Sequence, residues 1–292
     1  MTLPYICHDG FLVPEYSFSE VPKGGFMRLL RTVRAYFALA LFACGLVLFS
    51  APHLYALIAW DWVFFVDPST HRSRIDRWQM YWGCVLARIV FAVMGIKVHF
   101  DLPAFDYVWP LIVVSNHPSG AFDGAVLQLA FQQRIDPQGF RSIMKREVLK
   151  MPIIGRACKE SGCAFLVRGS DKSADLAEIA RCGRDASEDL RSVLIFPEGT
   201  RFRTPKPGSG FSRVLPPKSA GLRAVIETMP DYMVLPVTIV WSSTTSTGDV
   251  GSYVGATVRV EATRLEEVDP ACVATWLQEE WERKERRLVA NG

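Results

Sequence analysis

The sequence is short of the residues that mark metal, disulfide and nucleic-acid proteins. Its 292 residues include only five histidines, and its seven cysteines form no Cys-x-x-Cys pair. An odd count without paired spacing argues against a disulfide framework or zinc site and for reduced thiols in a cytosol-facing protein, most of them small core residues. The net charge is only +3 and the pI about 8.5, too mild to point to nucleic acid. There is no internal repeat, no low-complexity tract and no Gly-x-Ser-x-Gly elbow, so neither a solenoid nor an obvious serine nucleophile is indicated. Apolar residues make up 49% of the chain, which excludes global disorder. They gather in the first hundred residues, which argues against a polytopic transporter.

That apolar excess has a definite form. Ala35–Ala51 carries no charge, and after Pro52 and His53 a second run, Leu54–Val66, is broken only by Asp61. The stretch lies too far into the chain for a cleaved signal peptide. One crossing needs about 20 residues for a ~30 Å core, so the two runs are short for two complete spans. Arginines flank them on both sides (Arg28, Arg31, Arg34; Arg72, Arg74, Arg77), which puts both ends on the cytoplasmic side. The expectation is a helical hairpin dipping into one leaflet with its tip near Pro52; a buried helix pair, or two tilted full spans, are the other arrangements the lengths allow. Trp78–Gly95 reads as an interfacial or core-packed helix because Arg88 interrupts it, with Trp78, Tyr81 and Trp82 at headgroup level.

Beyond residue 95 strands alternate with helices. Leu111–Val114 and Ser192–Phe196 are unbroken β-branched or aliphatic runs, as expected of strands buried on both faces. Short strands are also expected at Ile96–Phe100, Phe140–Met144, Cys163–Val167, Met233–Val240 and Ala256–Glu261. Helices are expected at Phe122–Arg134, Val148–Glu160, Lys172–Leu190, Lys218–Met229 and Asp269–Leu288. The pattern implies an α/β fold, a mostly parallel central sheet flanked by helices, carrying the N-terminal membrane-associated hairpin. We divide the chain into a membrane-anchoring helical region, residues 1–95, and an α/β domain, residues 96–292.

Ligands of such sheets bind beyond the carboxyl ends of the strands, where two polar loops fall. His117 follows the Leu111–Val114 strand and precedes Asp123. An imidazole can take a proton from a hydroxyl, and a carboxylate can fix its tautomer. Without a serine or cysteine partner the pair suits direct attack by a substrate hydroxyl, although the spacing alone fits a capped turn better. Arg168 ends the segment Gly162–Arg168 and could hold a phosphate with two parallel hydrogen bonds, or be a solvated strand-end charge. Phe196-Pro197-Glu198-Gly199-Thr200-Arg201 offers a carboxylate, a hydroxyl, a guanidinium and a glycine that admits close approach. From Arg201 to Arg223 six residues are basic (Arg201, Arg203, Lys206, Arg213, Lys218, Arg223) and none is acidic, which suits an anionic ligand or lipid headgroup, or a merely solvated loop. Pro236 interrupts Val234–Val237, so a bulge, a ligand-facing bend or an edge strand is expected there.

These four elements, in this order over roughly residues 96–240, resemble the glycerolipid acyltransferases typified by 1-acylglycerol-3-phosphate acyltransferase. The matching stretches are Asn116-His117…Asp123, Gly162-Cys163-Ala164-Phe165…Arg168, Phe196–Arg201 and Val234–Val237, with Lys145–Leu149, Pro152 and Gly155 resembling the stretch between the first two motifs. One departure stands out: five residues separate His117 from Asp123, where the family pattern is His-x4-Asp. The resemblance implies a membrane-associated O-acyltransferase of phospholipid biosynthesis or remodelling. It would move a fatty acyl chain from acyl-CoA or acyl carrier protein to a lysophospholipid, most simply 1-acylglycerol-3-phosphate (lysophosphatidic acid). His117 would be the base and Asp123 its orienting carboxylate. Arg168 and Arg201 would hold the acceptor phosphate, Glu198 and Gly199 its glycerol part, and Pro236 would shape the acyl-donor side, with Thr200 a further substrate-binding residue. Backbone N–H groups would stabilise the oxyanion. No metal or bound cofactor is implied, and the expected partners are membrane lipids, the acceptor and the acyl thioester, not nucleic acid. In a bacterium the place would be the inner membrane, active site at the cytoplasmic face. A lyso-aminolipid acceptor, a thioester hydrolase and a catalytically silent lipid-binding protein are the competing readings.

Overall fold

The computed structural model describes residues 5–8, 11–14, 23–102, 110–119, 122–135, 139–167, 172–202, 208–242, 250–262 and 264–290. A small antiparallel hairpin, β1 (Tyr5–His8) and β2 (Phe11–Pro14), comes first. Then α1 (Lys23–Gly45) continues through a π-helical turn, Leu46–Ser50, into α2 (Ala51–Val63). Gly25–Val63 is one uninterrupted helical stretch of 39 residues, long and apolar enough to cross a membrane.

The hairpin tip therefore does not lie at Pro52. Inside the continuous rod Pro52 leaves one carbonyl of the preceding turn without its N–H donor, and the wider π turn there makes room for the ring. The reversal falls after Val63, where Phe65 adopts φ +50°. Asp67 then caps α3 (Pro68–Met94) by accepting from the Thr70 N–H at 2.9 Å. The α1–α2 rod runs back along α3 in antiparallel fashion. Arg34 Nε donates to the Val93 carbonyl near one end of the pair, and Trp78 Nε1 donates to the Ser50 carbonyl at 3.3 Å further along. Trp78 is buried where α3 meets the rod, while Tyr81 is exposed.

Among the described residues the sheet has seven strands: β3 (Lys97–Asp101), β4 (Leu111–Ser115), β5 (Phe140–Lys145), β6 (Ala164–Leu166), β7 (Ser192–Ile195), β8 (Met233–Trp241) and β9 (Thr257–Ala262). Their order is β3-β9-β8-β4-β7-β5-β6, with every pairing parallel except β8 with β9. β4 is central and all five of its residues are buried. Its side chains alternate between the two cores, as strand geometry requires. Leu111 and Val113 join the layer of α3 and α4 (Asp123–Ala130); Ile112 and Val114 face the layer containing α6 (Lys172–Glu188), α7 (Ser219–Ile226) and α8 (Val273–Ala290). The short α5 (Ile154–Glu160) follows a 3-10 turn at Arg146–Lys150, where the sequence suggested one longer helix.

Pro236 lies inside the sheet, paired with Val114 of β4, so β8 is not an edge strand. The accommodation is on its other side. β8 pairs with β9 from Val237–Ala262 onward, and an isolated bridge joins Val234 to Glu266. One extra residue accumulates on the partner between these two pairings. This bulge opens the ladder where Pro236 has no N–H to donate.

Candidate active site

Strand order creates the site. β7 and β8 flank β4 in parallel, so the loops leaving β4 and β7 emerge side by side at one sheet edge. Asn116 secures the first loop: its side-chain amide donates to the Ile239 carbonyl at 3.0 Å and accepts from the Ile239 N–H at 2.8 Å. This side chain imitates one more strand residue and holds the following His117 at the rim.

His117 Nδ1 lies 2.8 Å from Asp123 Oδ2, so the longer loop still permits the direct contact. Asp123 opens α4, with its charge at a helix N-terminus, which favours it. It accepts further bonds from Ser119 N–H at 2.8 Å, Ser119 Oγ at 2.7 Å and Trp241 Nε1 at 3.0 Å. A carboxylate so held is an acceptor, which places the His117 proton on Nδ1 and leaves Nε2 with its lone pair. The imidazole is 19% exposed and stacks on Phe196, ring centroids 4.3 Å apart. Phe122, Trp241 and Tyr253 pack edge-on or tilted around the Asp123 side. Burial raises the Tyr253 hydroxyl pKa.

The second loop meets the first. Its turn closes through Gly199 N–H to Phe196 O at 2.9 Å, with Gly199 at φ +66°, a conformation glycine adopts without strain. Phe202 N–H donates to the His117 carbonyl at 2.9 Å, and Lys218 N–H to the Pro197 carbonyl at 2.9 Å. Glu198 is 2% exposed and turns inward: Oε1 accepts a long bond, 3.4 Å, from His117 N–H. Oε2 is buried without a hydrogen-bond partner among the described residues. Burial pushes the Glu198 carboxyl up to about 8. Gly199 and Arg201 are exposed and Thr200 is half-buried.

The structure therefore brings His117, Asp123, Glu198, Gly199, Thr200 and Arg201 to one place. Pro236 lies below the rim, inside the buried strand. Arg168, with Arg203 and Lys206 of the basic stretch, lies outside the described residues. Asn116 and Phe196 belong to the matching motifs without an assigned role, and Ser119 and Trp241 carry no expectation from the sequence. Ser119 could have been noticed as a hydroxyl one helical turn before a buried first-turn carboxylate; Trp241 is 118 positions away from its partner and carries no local signal.

Fold and site together define an α/β protein whose parallel sheet edge presents a histidine–carboxylate pair over a glutamate–arginine turn. The chain belongs to the Acyltransferase family, whose model matches residues 95–240, half of its length. It is similar to the 1-acyl-sn-glycerol-3-phosphate acyltransferase of Cocos nucifera, at 24% identity over 171 residues, 59% of this chain and 50% of that protein. It is also similar to the enzyme of the same name from Helicobacter pylori (strain J99 / ATCC 700824), at 28% identity over 137 residues, 47% of this chain and 51% of that protein. The chain thus spans about half the length of these curated relatives. The crystal structure of the 1-acyl-sn-glycerophosphate (LPA) acyltransferase PlsC from Thermotoga maritima shares the fold, with a TM-score of 0.56 at 16% identity over 90% of this chain and 97% of that one.

Proposed function

We propose that the protein is an O-acyltransferase that esterifies the free hydroxyl of a lysophospholipid, 1-acylglycerol-3-phosphate in the first place, from an acyl thioester carried by CoA or acyl carrier protein. The observation that carries this reading is the Nδ1–Asp123 contact of His117 beside the Glu198 turn, which leaves Nε2 able to accept a proton. In the proposed reaction Nε2 takes the acceptor's hydroxyl proton as its oxygen attacks the thioester carbonyl. The tetrahedral intermediate collapses by breaking the C–S bond, and the imidazolium returns the proton to the departing thiolate. Asp123 balances the transient imidazolium charge. Backbone N–H groups at the motif loops would stabilise the oxyanion. Arg201, with Arg168, would hold the phosphate as a charge-assisted partner; Glu198, Gly199 and Thr200 would line the glycerol; Pro236 would act on the acyl-donor side only through the shape of β8.

The exposed aromatic and aliphatic face of the α1–α2 rod supports attachment to a membrane, where a two-tailed product and one-tailed acceptor both reside. In a bacterium this would be the inner membrane, with the site on the cytoplasmic face. Deleting residues 1–67 should release the protein from membranes in a flotation assay; retention would move the anchor to α3 or the basic stretch.

The decisive assay incubates the purified protein with labelled acyl-CoA or acyl carrier protein and a panel of lysolipids, read by mass spectrometry. Transfer to lysophosphatidic acid supports the reading. Transfer only to a lyso-aminolipid, or release of free fatty acid, would replace it. His117→Ala should lower transfer by about 10²–10⁴ with the fold intact; an active variant would remove His117 from the mechanism.

A further inference from the structure

Lys284, on α8, lies outside the residues that the family model covers, yet its ammonium is fully enclosed. The residue has no exposed surface. Nζ donates to the Val237 carbonyl at 2.6 Å and to Thr238 Oγ1 at 3.2 Å, and it pairs with Glu280 Oε1 at 3.4 Å. Val237 is the β8 partner of Ser115, the residue before Asn116-His117. The lysine therefore reaches the sheet beside the end of β4, where the histidine loop begins. Burying an ammonium is costly, and an apolar side chain of similar length would fill the same space without that cost. The other unusual group is the buried Glu198 carboxyl, whose Oε2 has no hydrogen-bond partner among the described residues and whose charge acts on the lysine.

We propose that Lys284 is a positioning residue of the active site: it is the counter-charge beneath the glutamate turn, and it sets the charge that Glu198 presents to the acceptor. Each group's charge favours the ionised form of the other, while burial opposes both; burial holds the lysine down at about 8, close to the value reached by Glu198. The other groups acting on the pair are accounted for. Glu280 on the same helix favours the charged lysine and Arg287 opposes it. Asp123, from α4, opposes ionisation of Glu198, while the N–H groups of His117 and Leu215 favour it. Lys218 reaches the exposed side of the turn, its Nζ 3.5 Å from where a Gly199 side chain would begin.

The role in catalysis rests on the acyltransferase reading; the coupling itself does not. The test uses the full chain in detergent, as wild type, Lys284→Met, Lys284→Arg and Glu198→Gln, with circular dichroism and melting to verify the fold. Two quantities are read: the pH–rate profile of acyl transfer, and the Glu198 carboxyl titration by NMR, identified as the signal missing from Glu198→Gln. In Lys284→Met the Glu198 midpoint, and the limb of the rate profile that Glu198→Gln abolishes, should both move to higher pH. Lys284→Arg should restore them. If Lys284→Met does not fold, Lys284→Gln, which keeps a donor for the Val237 carbonyl, is read in its place. An unmoved Glu198 midpoint, or a loss of rate equal at every pH, overturns the proposal. A midpoint that moves in a protein with no transfer activity would sink the acyltransferase reading alone.

Discussion

The histidine–carboxylate pair depends on how completely Asp123 is occupied. Four donors from two segments, the loop after β4 and the end of β8, converge on two oxygens, so the side chain is held against His117. Asp123→Asn keeps the shape but turns one acceptor into a donor, which favours the wrong imidazole tautomer. It should lower acyl transfer by about 10²–10⁴ in the assay above, whereas Ser119→Ala, which leaves the backbone N–H bond, should cost about tenfold or less. Glu198 predicts a stability effect with a definite sign. Its folded pKa, about 8, lies above its ordinary 4.5. The folded protein therefore keeps a proton that the unfolded chain has already lost. The associated stability is fully present below about 4.5 and disappears as pH rises through about 8, with a slope of at most ~1.4 kcal/mol per pH unit. Lys284 titrates on the alkaline side of this window and Asp76, held at about 6, adds to its acid end, so the part between about 6 and 8 is the one to assign to Glu198. Urea unfolding at several pH values should show the slope in wild type and its loss in Glu198→Gln. His117, Asp123 and Glu198 were legible because each follows or caps a readable element. Trp241 and Lys284 were not, because their partners are remote in sequence.

The hairpin shows what pattern reading resolves at the level of elements. Its apolarity and two-armed form were plain in the sequence, but the turn was assigned to the proline when it lies at Phe64–Asp67. A proline inside an apolar run looks like a breaker until its place in the helix is known; a π turn just before it lets the rod continue. The tip is instead made by a phenylalanine in the left-handed region and an aspartate cap. It exposes Trp62, Phe64 and Phe65, the last 93% accessible. Burying such side chains in lipid stabilises attachment by about 1.5–3 kcal/mol each. Replacing all three with serine should reduce liposome partitioning by more than about tenfold, read by flotation, with little change in melting temperature. Unchanged partitioning would place the membrane contact elsewhere on the rod.

On the scale of the whole molecule, a buried ion cluster ties α3 to the sheet at the end opposite the site loops. Asp189 pairs with Arg72 at 2.5 Å and with the fully buried Arg141, while Asp76 accepts from Arg191 at 3.1 Å. Burial raises both carboxyls, but the Arg72 and Arg141 bonds overcome it at Asp189 and hold that group at about 2; Asp76 stays at about 6. Removing one member leaves uncompensated buried charge, so Asp189→Ala should destabilise the fold by about 3–5 kcal/mol in urea denaturation. Because the folded pKa of Asp189 is depressed, its contribution is present above about 3.8 and is lost as pH falls through about 2. A variant as stable as wild type at neutral pH would show that the cluster is dispensable.

The sequence by itself determined the α/β class, the apolar arm and the chemistry available at two loops. These follow from period, composition and residue type within short windows, and no distant neighbour is needed to read them. Only the tertiary structure decided which strands adjoin β4, and hence that the His117 and Glu198 loops form one site. It also decided where the hairpin turns and how a proline sits inside a seven-stranded sheet. The reason is physical: a strand or helix states which face it must bury, but many arrangements bury the same faces. The choice among them comes from pairings far apart in the chain, such as Asn116 with Ile239 and Lys284 with Val237.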